Sequence, residues 1–333
     1  MNRHMPRRVF LGGAVAALPL LNAGSNVFAD PNQDRGGGEK LLPTGKREGN
    51  EKPGWIDAHV HVWTPDLKSY PIDTSRYSVD DMKPASFTPL QLMKECQPSG
   101  VDRVVLIQMS FYNTDNSYML DVISKHPGVF SGVGIVDHQA VDLTAQIRML
   151  AKAGVRGFRI SRRGKDAKNW VSDAGMGSLW KTASRSGLSI CPLINPTDFD
   201  VVDQLCVKYP DTRVVIDHFG RVGISGQIVP AELDALCRLA RHRNVHVKTS
   251  AFYALGKKQP PYKDLRPMLR RVVDAFSPQR LMWASDCPYQ VQERHDYESS
   301  IALIRDHMDS LSETDRNWIL RDTAEKVFFN KVS

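Results

Sequence analysis

Three histidines and one aspartate are the side chains of this 333-residue sequence best suited to activate a water molecule. His59 and His61 lie two residues apart in an apolar, β-branched segment, 55–63, that predicts a buried strand. Both rings therefore project from the same face of that strand. Each ring has polar nitrogens that need partners, so an H-x-H pair is either a pair of satisfied core histidines or part of a reactive site. The later His218 and Asp286 favour the reactive site, with Asp286 as the group that takes a proton from water.

The elements that must position these residues alternate between short β-branched runs and amphipathic stretches from residue 54 onward. Strands are predicted at 56–62, 103–109, 132–136, 155–160, 188–194, 213–217, 245–249 and 280–284. Helices are predicted at 89–95, 117–125, 140–153, 177–186, 198–209, 230–242, 262–276, 297–308 and 313–329. Eight strands, each followed by a helix and without a break in composition, predict a single (β/α)8 TIM barrel over residues 54–333. An open doubly wound sheet is the alternative, but no glycine-rich dinucleotide fingerprint follows the first strand.

In a barrel of this kind the chemistry lies at the carboxyl ends of the strands, where His59, His61, His218 and Asp286 are all predicted to fall. Asp217 directly precedes His218, so strand alternation predicts that it points to the opposite face, outside the site. Asp137 and His138 are interpreted as loop residues. Four tryptophans are predicted to be packing residues: Trp63, Trp170, Trp180 and Trp283.

Five short motifs, in this order and on these strands, resemble those of the amidohydrolase superfamily. They are D-A-H-V-H at 57–61, T-D-N at 114–116, G-V-R-G-F-R at 154–159, I-D-H-F-G-R at 216–221 and S-D-C-P at 285–288. The resemblance covers residues 55 to about 330. It is closest to the amidohydrolase-2 branch, within it to the 2-pyrone-4,6-dicarboxylate lactonase type and, after strand seven, to the sugar-lactone hydrolases.

The resemblance implies roles for individual side chains. Asp286 would be the general base, and His59, His61 and His218 would surround the water and the reacting carbonyl. Arg159 and Arg221 would bind substrate carboxylates in bidentate fashion. Further contacts to an anionic substrate are expected from Ser110, Tyr77 and Lys248. The lactonase type has a second arginine that binds the substrate, and one of Arg162, Arg163 and Lys165 would match it, but spacing does not decide which. Arg156 is expected to pair with an acid on the barrel wall.

A metal is the open question about cofactors. Many members of the superfamily hold a divalent ion through H-x-H, a histidine near strand five and the aspartate of strand eight, but residues 188–195 contain no histidine. His59, His61 and Asp286 could still hold Zn²⁺ with water in the open position. The lactonase type works without a metal, and a lactone carbonyl needs less Lewis-acid help than an amide. Metal-free catalysis is therefore the favoured expectation, with zinc as the alternative.

These features together predict a hydrolase that opens a small anionic lactone, a carboxylic ester, by attack of water. A metal-dependent decarboxylase or hydratase of the same superfamily is one alternative. A non-catalytic periplasmic binding protein for small organic acids is another, although such a protein has no need of a water-activating carboxylate. The substrate pocket departs from the lactonase type at strand five, so the substrate is expected to be a different lactone or one with fewer carboxylates. A homo-oligomer is compatible with the sequence.

The amino terminus predicts export. Arg7 and Arg8 precede the apolar run 9–21 and resemble a bacterial twin-arginine signal, with residues 1–29 as the signal peptide and 30–53 as a Gly/Pro-rich linker. The run is too short to span a bilayer, so a periplasmic protein without a membrane span is expected.

Removing the signal lowers the net charge from +7 to +4, which does not favour a nucleic-acid partner. Five scattered cysteines are interpreted as core thiols.

Overall fold

Eight parallel strands lie side by side in chain order in the computed structural model, which describes residues 53–162 and 166–330. The strands are β1 (Trp55–Val60), β2 (Val101–Ile107), β3 (Phe130–Gly134), β4 (Val155–Ser161), β5 (Ser189–Leu193), β6 (Arg213–Ile216), β7 (Val245–Ser250) and β8 (Leu281–Ala284). A bridge between Val60 and Cys287 joins the first strand to the end of the last. The predicted (β/α)8 barrel is therefore confirmed.

Helices follow the strands as the periodicity predicts. They are α1 (Pro89–Cys96), α2 (Ser117–Lys125), α3 (Leu143–Lys152), α4 (Ala174–Arg185), α5 (Phe199–Lys208), α6 (Pro230–Arg238), α7 (Arg266–Phe276), α8 (Tyr297–Arg305) and α9 (Glu313–Asn317). Local capping sets several starts: Thr88 accepts a hydrogen bond from the Gln91 amide, and Asp173 accepts one from the Met176 amide. The helix predicted at 313–329 is instead α9 followed by two π-helical segments, Trp318–Asp322 and Glu325–Phe329.

Apolar side chains fill the interior of the barrel at its amino-terminal end. Ile56, Val105, Val133 and Met282 are buried there together with Phe328 from the carboxyl-terminal segment. Ser131 donates a hydrogen bond of 2.6 Å to the Phe328 carbonyl. This end is therefore closed by packing, and the residues with catalytic chemistry are expected at the opposite, carboxyl end.

Several predictions about individual side chains are tested directly by this packing. The four tryptophans are buried, and all five cysteines are free and buried, so both predictions are confirmed. The prediction for Arg156 is wrong. Its guanidinium donates to the carbonyl oxygens of Ala151, Val155 and Asn330 instead of pairing with an acid. Backbone carbonyls near the end of α3, at the start of β4 and after the second π-helical segment take the place of the expected carboxylate.

The predicted signal peptide and most of the predicted linker lie outside the described residues, as do Arg163 and Lys165. In the described part of the chain, no helix has the length and apolar character that crossing a membrane requires.

Candidate active site

His59 and His61 form the floor of a polar site at the end of β1. Both rings are buried, and their Nε2 atoms lie 3.3 Å apart. His61 Nδ1 lies 2.9 Å from the carbonyl oxygen of Ile107, which can only accept, so this nitrogen carries the proton. In the neutral ring, Nε2 of His61 then presents a lone pair to Asp286 Oδ1, 3.4 Å away. Two acceptors face each other here, an arrangement that calls for a water molecule or a cation between them.

Asp286 follows β8 and its two carboxylate oxygens have different surroundings. The Tyr253 hydroxyl donates to Oδ2 over 2.7 Å, and His218 Nε2 is 3.7 Å from the same oxygen. Oδ1 is buried and has no hydrogen-bond partner, with Nε2 of His59 3.5 Å away. Burial raises the pKa of the Asp286 carboxyl, but the neighbouring His218, His59 and His61 outweigh burial and hold that pKa well below its usual range. The group is therefore ionised at neutral pH and keeps one oxygen free.

His218 lies beside Asp286 on the turn after β6. Its Nδ1 is 2.8 Å from the Ser250 hydroxyl, which also donates to the Lys248 carbonyl over 3.4 Å. Burial lowers the pKa of His218 to about 4. The imidazole is thus neutral at ordinary pH and is held in a fixed orientation by β7.

A buried group of charges lies directly behind the histidines, and Asp217 is at its centre. Lys248 Nζ is 3.0 Å from Asp217 Oδ1 and 3.1 Å from Nδ1 of His59. Arg159 Nη2 is 3.2 Å from Asp217 Oδ2 and 3.2 Å from Nε2 of His59. Burial raises the pKa of Asp217, but Lys248, His59 and Arg159 hold that pKa well below its usual range. Burial and the nearby Lys248 lower the pKa of His59.

The prediction that Asp217 lies outside the site is therefore wrong. Val215 packs inside the barrel and Ile216 outside it, so Asp217 continues the alternation of β6 into the barrel. His218 (φ 53°, ψ 48°), Phe219 and Gly220 have left-handed backbone conformations that turn the chain sharply. As a result Asp217 and His218 both point into the barrel.

A cavity of about 320 Å³ opens above these groups and is reached by several predicted site residues. Arg221, Ser110, Arg159 and His218 line it, and Arg221 also donates to Asn195 over 3.3 Å. The wall is completed by His61, Met109, Leu193, Tyr253, Asp286 and Tyr289. The site therefore combines a free carboxylate oxygen with two guanidiniums at the edge of one cavity.

Other predicted residues lie elsewhere. Lys248 is fully buried beneath His59, and Tyr77 packs as a partly buried ring against the hydrophobic core; neither lines a described cavity. Asp137, His138 and Arg162 line a neighbouring cavity of about 360 Å³ at the ends of β3 and β4, which shares Arg159 with the first.

Sequence reasoning assigned no role in this site to Tyr253 or Ser250. Ser250 is the last residue of β7, a position at which polar side chains of a barrel face the active end, so its position was available from the sequence. Tyr253 comes three residues later in a turn, where no strand periodicity predicts a direction.

The sequence also matches a known family over almost all of the described barrel. The model of the family described as amidohydrolase matches residues 56–329. This chain belongs to the amidohydrolase family.

Individual amidohydrolases resemble it over most of their length. The L-fucono-1,5-lactonase of Burkholderia ambifaria is 30% identical, over 70% of this chain and 80% of that protein. The 2-pyrone-4,6-dicarboxylate hydrolase of Comamonas testosteroni is 28% identical, over 73% of this chain and 79% of that protein. The crystal structure of a candidate 2-pyrone-4,6-dicarboxylic acid hydrolase from Pseudomonas putida superposes with a TM-score of 0.71 at 25% identity, covering 84% of this chain and 98% of that one.

The amidohydrolase site has donors that could hold a metal ion. His59, His218 and Asp286 each offer a ligand atom within 4.8 Å of the others, and His61 Nε2 is 3.4 Å from Asp286. Imidazole nitrogens with one carboxylate are a usual zinc set, and the unpartnered Asp286 Oδ1 suits a cation, so the residues fit a divalent ion. When bound there, such an ion would act as a Lewis acid toward a carbonyl and lower the pKa of bound water.

Proposed function

We propose that this amidohydrolase hydrolyses a small anionic lactone to the open hydroxy acid. The observation that carries the proposal is the buried, ionised Asp286, whose Oδ1 has no hydrogen-bond partner and faces His59 and His61 beside a cavity. The similarity to proteins named as lactonases supports the same class of reaction.

In the proposed reaction, a water molecule donates a hydrogen bond to Asp286 Oδ1 and attacks the lactone carbonyl carbon. Asp286 takes the proton as the new C–O bond forms. The Arg159 guanidinium stabilises the negative charge that develops on the carbonyl oxygen, and the Nε2 lone pair of His61 holds the water against Asp286. Collapse of the tetrahedral intermediate breaks the ring C–O bond, and the leaving alkoxide takes the proton back from Asp286, so that the carboxylate is regenerated.

Arg159 and Arg221 give the cavity its preference for an anionic substrate in this proposal. Arg159 Nε is buried without a hydrogen-bond partner, and Arg221 reaches the same cavity from the turn after β6. Guanidiniums bind carboxylates through paired hydrogen bonds, which are stronger than neutral ones. A substrate carboxylate between them would hold the lactone carbonyl next to Asp286.

Replacement of Arg221 by Met is expected to raise the KM for a carboxylated lactone by roughly 10- to 100-fold, the equivalent of one charged hydrogen bond. A neutral lactone of the same ring size is the matched control, and its KM should change less than about threefold. Steady-state assays of acid release give both values. Equal effects on the two substrates would show that Arg221 does not recognise the carboxylate.

A pH profile tests the ionisation states on which the reaction depends. Since burial lowers the pKa of His218 to about 4 while Asp286 titrates lower still, both groups keep their active forms at neutral pH. The plot of log kcat/KM is expected to be level from pH 7 to about 5 and to fall as the pH drops through 4, where the His218–Asp286 pair takes up a proton. Recovery of activity after return to pH 7 separates titration from unfolding. An acid limb centred near pH 6.5 would contradict this assignment.

We further propose that catalysis is metal-free. Both ring nitrogens of His59 already have a cationic neighbour, Lys248 at 3.1 Å from Nδ1 and Arg159 at 3.2 Å from Nε2, and these cations compete with a metal for the ring. The alternative within the family is a metal-dependent decarboxylase or hydratase.

Turnover of a panel of mono- and dicarboxylic lactones, before and after chelation, tests the function and separates the alternatives. Acid release that survives chelation supports metal-free lactone hydrolysis. Tight zinc, loss of turnover with a chelator and activity on an aromatic carboxylate would instead favour the decarboxylase. Binding of lactones or organic acids without any product would favour the non-catalytic binding protein.

We also propose that the protein is exported to the periplasm by the twin-arginine route, on the basis of Arg7, Arg8 and the apolar run that follows them. A reporter fused to the full chain should appear in the periplasm, and one fused to the chain from residue 30 should stay in the cytoplasm. A twin-lysine variant, with Arg7 and Arg8 replaced together, is the matched control and should also stay inside. Export of the shortened chain would refute the assignment.

A further inference from the structure

Tyr253 reaches Asp286 from a neighbouring strand's turn. Ala251, which follows β7, has a left-handed backbone (φ 57°, ψ 41°), and the chain then forms the short helical turn Phe252–Ala254. This turn directs the Tyr253 hydroxyl toward Asp286 Oδ2, 2.7 Å away. The Tyr253 ring lies 6.4 Å from the Tyr289 ring at 29°, and 6.0 Å from the His295 ring. The hydroxyl is therefore fixed by its backbone turn and by two flanking rings.

We propose that Tyr253 is a positioning residue that holds Oδ2 of Asp286 and thereby assigns Oδ1 as the oxygen that accepts the proton of the attacking water. The inference rests on the proposed hydrolysis and adds that the two carboxylate oxygens have different roles: Oδ2 is held by Tyr253, and Oδ1 takes the proton. Oδ1 is the oxygen that the structure leaves buried and without a partner, between His59 and His61.

The remaining contacts of the carboxylate cannot replace this hydrogen bond. His218 Nε2 is 3.7 Å from Oδ2, beyond hydrogen-bonding distance. The terminal torsion of an aspartate has a broad, roughly two-fold profile, so without a fixed donor the two oxygens can exchange places. A phenol hydroxyl carries its proton at any working pH, so Tyr253 remains a donor to Oδ2.

The experiment compares Tyr253→Phe with Tyr70→Phe, which removes a hydroxyl that also donates to an aspartate over 2.7 Å, Asp121, away from the cavity. For lactone hydrolysis by Tyr253→Phe we expect kcat about tenfold lower and KM within twofold. Tyr70→Phe should leave both quantities unchanged.

A double-mutant cycle shows whether Tyr253 acts through Asp286. In an Asp286→Asn background, Tyr253→Phe should lower the residual rate less than twofold, because the base it orients is already gone. Additive losses, or a raised KM, would make Tyr253 a substrate contact and overturn the inference. So would a Tyr253→Phe enzyme that matches Tyr70→Phe, although the proposed function would then stand. A wild-type protein that opens none of the lactones refutes the function and, with it, this role.

Discussion

Replacement of Asp286 by Asn is expected to lower kcat for lactone hydrolysis at least ~10²-fold in a protein that remains folded. Asparagine has the same shape and its side-chain oxygen can still accept from the Tyr253 hydroxyl, but it cannot take a proton from water at neutral pH. The loss should therefore appear in kcat, since the cavity and its two guanidiniums are retained. Initial rates of acid release and a far-UV circular dichroism spectrum measure the two parts of the prediction.

The matched control is Asp211→Asn, the same chemical change at an exposed carboxylate whose neighbour is the exposed Arg243. This variant should keep wild-type kcat and KM, because exposed ion pairs contribute little to stability and this one does not reach the cavity. An Asp286→Asn enzyme with more than a tenth of wild-type activity would show that another group removes the proton from water.

The secondary structure and the barrel could be predicted because their signals are local. The β-branched runs and the amphipathic spacing of helices such as α7 are patterns of consecutive residues. Eight strand–helix units without a break are compatible with few architectures. His59, His61 and Asp286 could then be placed together, because the carboxyl ends of parallel barrel strands meet at one face. The prediction required no knowledge of any side-chain contact.

The directions of His218 and Tyr253 could not be predicted in the same way, because each depends on a turn with left-handed backbone. His218 and Phe219 are not glycines, yet both have positive φ. Few residues other than glycine adopt this conformation, and no local sequence pattern predicts it here. The same holds for Ala251, which sets the direction of Tyr253 toward a partner 33 residues away. Where a chain leaves its strand by an unusual turn, the periodicity that predicts side-chain direction ends with the strand.

For Lys248 the sequence indicates a charged residue at the active end of the barrel, but it does not indicate which group that charge pairs with. A lysine at the end of β7 was expected to bind the substrate, and instead it lies behind the histidines, 3.0 Å from Asp217 Oδ1. A buried charge must be paired, and with Asp217 directed into the barrel Lys248 has its carboxylate partner inside the protein.

Asp217→Asn is expected to destabilise the fold by roughly 3–5 kcal/mol, the usual cost of removing one member of a buried ionic group. Lys248 and Arg159 would remain buried with no carboxylate beside them, and an amide cannot compensate two positive charges. The midpoint of urea unfolding, followed by tryptophan fluorescence, should fall by about 1 M or more. kcat should fall as well, because His59 loses the group that its Nδ1 faces at 3.2 Å. Asp211→Asn again provides the control and should cost between about 0 and 1 kcal/mol. An Asp217→Asn protein as stable as that control would show that Lys248 and Arg159 do not depend on this carboxylate for their burial.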